Sequence, residues 1–342
     1  MKNNDTQALK ELILKFVNAE TWEECQQIVT DNPQILSIKV KFLLIHLRME
    51  SKDEEEKYRL YRYQQLLSLC RTKGIEAAFA NHVSPEIPAE LDTILDEIEK
   101  LRDLKTTPQR IALCQQALTL ISKITEPRLW AILQDELGNS YQQNPQGSRV
   151  DNLENAIECY QAALQVKTRE AMPDEWASTM NNLAIAYRDR ILGMKADNIE
   201  KAIECYQAAL QVITQETMPV EWASTMNNLA NAYRVRIRGV RANNLEKAIE
   251  YHQATLKVRT QEEMPEDWAT TMNNLGNAYN ERIRGEQADN LEQAIVHYQE
   301  ALQVITFQYM PMKWAGIMNN MASTYNSRIH GVPADNLEKA IV

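Results

Sequence analysis

The sequence predicts an all-α fold, in which antiparallel helix pairs stack as a solenoid behind an N-terminal helical cap. One observation is a 46-residue period that runs from residue 127 without slipping by a single position. A second is that each copy contains two successive patterns of apolar residues at helical spacing. A third is that no segment shows strands alternating with helices.

Four residue types mark the period, because each returns at the same position of every copy. They are Pro127, Pro173, Pro219, Pro265 and Pro311; Trp130, Trp176, Trp222, Trp268 and Trp314; Tyr141, Tyr187, Tyr233, Tyr279 and Tyr325; and Gly147, Gly193, Gly239, Gly285 and Gly331. We therefore expect 127–342 to hold five copies of one structural repeat, with the last copy truncated.

The first half of each copy predicts one amphipathic helix. In the copy that starts at Pro219, the apolar residues along one side are Trp222, Met226, Leu229, Ala230, Tyr233 and Ile237. Pro219 suits the first helical position, since its missing N–H would have no intrahelical partner there. Gly239, after the Arg-rich end, suits a left-handed cap.

The second half of each copy predicts another helix. In the preceding copy its apolar side comprises Ile199, Ala202, Ile203, Tyr206, Ala209, Leu210 and Ile213. Asp197, with Glu200 three residues later, is typical of an N-cap and capping box. One such pair buries too little apolar surface to offset the entropy of ordering its residues. We therefore expect the pairs to stack, with each repeat touching chiefly the next.

Residues 1–80 do not follow the period, and we expect them to form a helical cap over the first face of the stack. Thr21 is placed to cap a second helix that starts at Trp22, and Pro33 opens an apolar segment that runs to residue 47. The acidic run at 53–57 leads into a further helix that reaches Gly74. A first helix is predicted by Leu9, Leu12, Ile13, Phe16 and Val17.

Between 81 and 126 the period is faint. The segment 108–122 matches the second helix of a degenerate repeat, and 88–101 is the expected partner helix. The loop at 82–88 contains two Pro and marks the clearest boundary. The expected parts of the chain are thus 1–80, 81–126 and 127–342.

The strings NNLANAY at 227–233 and NLEKAIEYHQATL at 244–256 resemble the two helices of the tetratricopeptide repeat, or TPR. The small residue of that pattern is Gly276 in one copy and Ala184, Ala230 or Ala322 in others. The departure is length, since the usual repeat has about 34 residues. The lengthened repeat with paired Asn resembles the kinesin light chain subgroup. The DNLEKAI and MPxEWA phrases are similar to the repeat arrays that precede CHAT domains, which are caspase-like protease domains, in bacterial proteins.

This resemblance implies a right-handed solenoid whose first helices line a concave groove for peptide segments. It places the motif asparagines of that groove at Asn228, Asn231, Asn274 and Asn277. The CHAT similarity implies a regulatory or sensing part of a larger protease-linked protein.

Composition and motifs exclude several function classes. A net charge of −10 argues against nucleic acid as the main partner, because duplex binding needs a basic surface. No stretch approaches the ~18 apolar residues of a membrane span, and the N-terminus lacks a signal core, so we expect a cytoplasmic location. There is no HExxH, GxSxG or Gly-rich phosphate loop, so we expect neither an enzyme nor a cofactor or metal.

The five cysteines are expected to be buried thiols, since they include no CxxC pair. Two of them occupy the same position of successive copies. His252 replaces the Tyr of other copies and is expected to be a packing variant. The cysteines are Cys25, Cys70, Cys114, Cys159 and Cys205.

A polar stripe lies on the other side of the first helices. An Asn amide both donates and accepts, so a row of them can pair with the backbone of an extended peptide. The alternative, which the sequence leaves open, is that these Asn bond an adjacent helix or its loop. The residues expected to bind a peptide are Asn181, Asn182, Arg188, Asn227, Asn228, Asn231, Arg234, Arg238, Asn273, Asn274, Asn277, Asn280, Arg284, Asn319 and Asn320.

The arginines fall into two groups. Those that vary between copies, such as Arg234 and Arg238, are expected to attract an acidic partner segment. Those that recur at one position are expected to pair with acidic residues near the start of second helices, such as Glu200 and Glu246. The recurring residues are Arg190, Arg236, Arg282 and Arg328.

The sequence therefore predicts a scaffold that holds a protein or peptide segment in its groove, without a membrane partner. The alternative is a structural protein that forms homo-oligomers through its terminal repeats. Because the sequence stops at ADNLEKAIV, part-way through an expected helix, we also expect either a fragment of a longer protein or a last repeat covered by another molecule.

Overall fold

The computed structural model describes residues 2–19, 22–51, 60, 63–64, 66–68, 70–72, 74–80, 89–101, 103–123, 126–328, 331 and 333–341. Over these ranges the backbone forms helices and turns and no strand. The chain divides into two compact units, 1–137 and 138–342, and the boundary falls inside one helix. The sequence-based division at 80 and 126 stays a prediction.

The regular structure of unit 1 over its described residues is helical. Its α-helices include α1 (Lys2–Val17), α2 (Trp22–Asp31), α3 (Ile38–Glu50), α4 (Ile75–Ala80), α5 (Ala89–Lys100), α6 (Thr107–Leu120) and the first part of α7 (Pro127–Gln143). Residues 60, 63–64, 66–68 and 70–72 are also helical. Short 3-10 helices span Pro33–Leu36 and Leu104–Thr106. The predicted Thr21 cap, the acidic run at 53–57 and the loop at 82–88 lie outside the described residues.

The core of unit 1 forms around the predicted first helix. Ile13, Phe16 and Val17 are buried, and Phe16 packs edge-on against Tyr63 with ring centroids 4.8 Å apart. Helices α5 and α6 pack against each other as the expected pair of the degenerate repeat. Leu91 on α5 and Cys114 on α6 are fully buried.

Unit 2 contains the helix pairs of the repeats. Each first helix begins at the recurring Pro, which occupies the first helical turn, as the sequence predicts. After α7, the helices are α8 (Arg149–Ala163), α9 (Pro173–Asp189), α10 (Lys195–Ala209), α11 (Pro219–Arg234), α12 (Arg241–Thr255), α13 (Pro265–Asn280), α14 (Gln287–Val304), α15 (Pro311–Asn326) and α16 (Pro333–Ile341).

Packing within unit 2 follows the chain order. From α9 onward, each first helix packs on the second helix of its own repeat, and each second helix from α8 packs on the next first helix. Successive first helices also approach one another directly, as α9 does α11. The buried core is made of small and aromatic residues, with Ala184 and Tyr206 fully buried between helices. The all-α prediction of stacked helix pairs is confirmed.

Bidentate ion pairs join each repeat to the one before. Arg236 donates from Nε and Nη2 to the two carboxylate oxygens of Glu200, at 2.8 and 2.7 Å, and Arg282 holds Glu246 in the same way at 2.9 and 3.0 Å. Arg190 with Glu154 and Arg328 with Glu292 repeat this geometry. The hydrogen bond from Arg236 lowers the pKa of Glu200, because it stabilises the charged carboxylate. The predicted structural role of the recurring Arg is confirmed.

The connection inside each repeat is held by a buried Asn that sequence reasoning missed. Asn198 donates from Nδ2 to the Leu192 carbonyl at 2.8 Å, and Asn244 donates to the Arg238 carbonyl at the same distance. The Gly in this connection has a positive φ, 81° at Gly239, which a residue with a Cβ rarely adopts. The predicted left-handed conformation at the recurring Gly is confirmed.

Three predicted helix boundaries are wrong. Helix α10 begins at Lys195, so Asp197 and Glu200 lie inside its first turns, where they pair with Arg238 and Arg236 instead of forming a capping box. It ends at Ala209, so Leu210 and Ile213 lie beyond it. Helix α11 ends at Arg234, so Ile237 does not extend its apolar side and is 61% exposed in the connection. The two errors at helix ends arise because the apolar spacing continues past the residue at which the backbone turns.

Candidate interaction surface

The polar stripe lies where the first helices approach one another, on α9, α11, α13 and α15. Successive first helices approach one another more closely than successive second helices do. A curved stack has this packing when the first helices line its inner side. The stripe residues are therefore positioned by the packing of one repeat on the next. Most of them are half-buried, while Asn227 is only 7% exposed.

Several of the predicted asparagines bond each other between repeats. Asn274 donates from Nδ2 to Oδ1 of Asn227 at 3.2 Å, and Asn320 donates to Asn273 at 3.1 Å. In each pair, the second Asn of one repeat meets the first Asn of the repeat before. These bonds give that part of the stripe the structural role that the sequence had left open.

The equivalent pair one repeat earlier is not bonded. Asn181 Oδ1 is buried without a hydrogen-bond partner, and Asn228 makes no side-chain hydrogen bond within the described structure. Asn182 instead donates to Oδ1 of Asn139 at 3.1 Å. The first repeat carries Asp135 where later copies have the first Asn, so the register of bonding changes at this end.

A second set of bonds joins Asn to Tyr within a repeat. The hydroxyl of Tyr298 donates to Oδ1 of Asn277 at 2.8 Å, and the hydroxyl of Tyr160 donates to Asn139 at the same distance. Sequence reasoning missed Asn139. The signal for it was the preceding Gly138, which matches Gly276 before Asn277.

The two middle repeats lack this bond. In one, Ile185 stands where Asn would accept, and the buried hydroxyl of Tyr206 has no partner. In the other, His252 replaces the Tyr, and neither ring nitrogen has a hydrogen bond. Asn231, the would-be acceptor there, makes no side-chain hydrogen bond with the described residues.

His252 is the predicted packing variant, and its burial is complete. Removal from water lowers the pKa of His252 to about 3, and Arg234 and Arg259 lower it further by charge repulsion. Arg259 itself occupies a position that is Ile213 in the preceding copy, and it donates to Ser224 at 2.8 Å. The imidazole is therefore neutral in the folded protein at ordinary pH.

The predicted arginines lie at the ends of first helices and in the connections. Arg234 contacts Glu281, which also accepts from Arg241, so two guanidinium groups hold one carboxylate. Arg238, whose side chain is 55% exposed, pairs with Asp197. Arg284 donates to Asn243, which lies 41 residues earlier, the same separation as between Arg238 and Asp197. Arg188 pairs with the neighbouring Asp189.

The last repeats complete the predicted set. Asn280 accepts from the hydroxyl of Thr324 at 3.0 Å, so it too joins successive first helices. Asn319 is exposed and makes no side-chain hydrogen bond in the described structure. After these bonds, four stripe amides have no side-chain hydrogen bond to a described residue: Asn181, whose Oδ1 is buried, and Asn228, Asn231 and Asn319, which are half-buried or exposed.

All five Cys are described residues, and they are buried thiols that form no disulfide. Burial raises the pKa of the Cys205 thiol to about 12. Groups of His, Cys, Asp and Glu suited to hold a metal ion do not occur among the described residues. Among the described helices, none has both the length and the apolar character that a membrane span needs.

Two repeat-family models match the chain. The tetratricopeptide repeat model matches residues 268–305, and the Sel1 repeat model matches 134–165, 177–211 and 223–254. Each match covers one helix pair or most of one. Comparison with curated proteins finds no match.

Solved structures resemble this chain at low sequence identity, and the likeness with a TM-score above 0.5 indicates a shared fold. One of them is a STAND (Signal Transduction ATPase with Numerous Domains) protein with a tetratricopeptide repeat sensor, from Pyrococcus horikoshii. It is 14% identical to this chain with a TM-score of 0.51, and the match covers 97% of this chain and 44% of that protein. BtubC (BKLC) from P. vanneervenii is 19% identical with a TM-score of 0.47, over 71% of this chain and 87% of that one. The apo form of RapI is 14% identical with a TM-score of 0.40, and the match covers 98% of this chain and 73% of RapI.

Proposed function

We propose that this chain, a tetratricopeptide-like repeat protein, binds an extended acidic protein segment along the first helices of its repeats. Repeats of the matched families are protein–protein interaction modules, and the chain is accordingly an interaction scaffold. The location of the binding surface and the chemistry of the partner are the proposed part.

One observation carries the proposal: stripe amides remain unused after the repeats have bonded to one another. Asn228, Asn231 and Asn319 retain both a donor and an acceptor on the first helices. These amides are half-buried or exposed, so water can bond them in the free chain, and a ligand that supplies backbone N–H and C=O groups replaces that water with direct hydrogen bonds. An extended segment offers these groups at regular intervals.

The electrostatics favour acidic side chains on that segment. Glu281 and Asp197 show that this region already binds carboxylates, through Arg234, Arg241 and Arg238. Arg238 is the most exposed of the three and is the best placed to exchange its carboxylate for one from a partner. Such charges would act mainly on the rate and the specificity of capture.

The test is a pull-down from the native host, in which the wild-type chain and two variants serve as baits and the captured proteins are identified by mass spectrometry. The variant Asn228→Ala/Asn231→Ala/Asn319→Ala should lose the specific partner while its helicity and melting temperature stay unchanged. Asn227 and Asn273 are unsuited to this test, because their removal breaks bonds between repeats. A triple Ala variant of Glu158, Glu204 and Glu250, which are exposed on second helices, serves as the matched control. Equal capture by both variants would reject the surface.

The link to a CHAT-type protease is part of the same proposal and rests on the sequence resemblance. It makes the scaffold the sensing or regulatory part of a larger protein. Reading the genomic DNA beyond the codon for Val342 tests it directly. An open reading frame that continues into an α/β domain with a His and Cys pair would support the link, and one without such a domain would remove it.

Self-assembly through the terminal repeat is the second candidate. An open pocket of about 490 Å³ lies beside the last helices, lined by Met318, Met321 and Tyr325 and by the charged side chains of Asp335, Glu338 and Lys339. Its Met and Tyr wall suits the apolar side of a helix from a second chain. Sedimentation at several protein concentrations decides, since a monomer at every concentration would exclude this route.

A further inference from the structure

Helix α3 in unit 1 carries a second apolar face that is exposed in the described structure. Its inner face is formed by Val40 and Leu44, which are 0% and 1% exposed. On the other side, Ile38, Phe42 and Met49 are 68%, 63% and 77% exposed. A helix that is apolar on two opposite sides is typical of one that packs against something on both.

The spacing of the outer face indicates what packs there. Ile38, Phe42, Ile45 and Met49 follow each other at intervals of four, three and four residues. At 100° per residue they fall within about 60° of the circumference, which is the narrow seam by which one helix packs along another. A membrane-lying helix presents a broader apolar face, because its whole lower half enters the lipid.

Basic residues border the seam on both sides. Lys39 and His46 lie along one edge, and Lys41 and Arg48 lie along the other, while α3 contains no Asp or Glu before Glu50. Lys39 and Lys41 are exposed and form no ion pair with a described residue. In a two-helix seam these flanking positions set the choice of partner by charge.

We propose that the outer face of α3 is a second docking surface, and that it takes an amphipathic helix with acidic residues flanking its apolar seam. A second copy of α3 is disfavoured as the occupant, because pairing would bring basic edges against basic edges. The acidic helix instead places carboxylates opposite Lys39 and Lys41. This surface lies in unit 1 and is independent of the stripe on the repeats.

The experiment uses the full chain and a fluorescein-labelled synthetic heptad peptide with Leu and Ile in the seam and Glu at the flanking positions. A twin peptide with Lys at those positions is the charge control. Fluorescence anisotropy should show binding of the acidic peptide and none of the basic twin. Lys39→Glu/Lys41→Glu should weaken binding by about tenfold or more, as should Phe42→Ser.

A matched variant controls for net charge. Lys105→Glu/Lys257→Glu makes the same charge change at exposed positions away from α3, and it should leave binding intact. Because all four lysines and Phe42 are exposed, none of the variants should alter helicity or melting. The Lys and Phe42 variants remove different parts of the surface, so each checks the other.

Several results would overturn the proposal. Absence of binding by the acidic peptide would do so, as would unchanged binding in Lys39→Glu/Lys41→Glu. Binding to phosphatidylglycerol vesicles that Phe42→Ser abolishes would assign the face to a lipid surface. Concentration-dependent dimerisation that Phe42→Ser abolishes would assign it to a second copy of the chain.

Discussion

Replacing Gly276 by Ala should destabilise the repeats, although Ala is the better helix former. A Cβ at Gly276 would lie 2.7 Å from Cε1 and 2.9 Å from Cδ1 of Tyr298, well inside ordinary contact. The ring is fully buried and must shift, which weakens its hydroxyl bond to Asn277. Overpacking costs about 1–3 kcal/mol and the lost hydrogen bond about 1 kcal/mol, while the gain in helix propensity returns about 1 kcal/mol. The expected net loss is about 1–3 kcal/mol.

Urea unfolding followed by far-UV circular dichroism measures this change, with the midpoints compared between variants. Gly316→Ala is the matched control, because a Cβ there meets nothing within 4 Å on an exposed helical face. That variant should be as stable as the wild type or slightly more so. If Gly276→Ala were as stable as Gly316→Ala, the close packing of Gly, Tyr and Asn in this repeat would be refuted.

Three further predictions concern the bonds described above. The pKa of His252 is about 3 in the folded chain against 6.5 in the free side chain. Between these pH values the unfolded state binds a proton at His252 and the folded state does not. The free energy of unfolding should therefore fall as pH drops from 6.5 toward 3, by up to ~1.4 kcal/mol per pH unit. Melting temperatures at pH 7 and pH 5 should therefore differ less in His252→Phe than in the wild type, and an equal difference would contradict the burial. Arg282→Ala should lower stability by about 0.5–1 kcal/mol in urea unfolding, because it removes a bidentate ion pair with Glu246 whose side chains are partly exposed. The double variant with Glu246→Ala should show a coupling energy of the same order, and simple additivity would argue against the pair. Asn227→Ala should lower the urea midpoint through loss of the bond from Asn274, whereas Asn319→Ala should not, and equal midpoints would argue against an inter-repeat role.

The repeat architecture was predictable because it depends on features visible along the chain. Pro219 and its equivalents mark helix starts, the Gly239 position marks the left-handed turn, and Arg236 is placed to meet Glu200. Each of these is a short-range or strictly periodic feature, so a fixed period carries it from one copy to the next. The exposed Ile237 shows the limit, since the same spacing continued past the end of the helix.

The polar stripe was predictable as a surface but not in its bonding. The sequence placed Asn227 and Asn274 on one side of their helices, but it could not show that one amide reaches the other across 47 residues. That contact depends on how closely successive first helices pack. The docking face of α3 also escaped the sequence reasoning, because an apolar segment does not reveal which of its sides the core will cover.

Site-specific photocrosslinking tests directly whether a partner protein contacts the first helices of the repeats. p-Benzoylphenylalanine would replace Asn231 or Asn319 on the first helices, and Glu204 or Glu250 on the second helices, in separate variants expressed in the native host. The first-helix variants should form a covalent adduct with a partner protein, mapped by mass spectrometry to an extended acidic segment, and the second-helix variants should form none. Adducts from the second-helix positions alone would contradict the proposed binding surface.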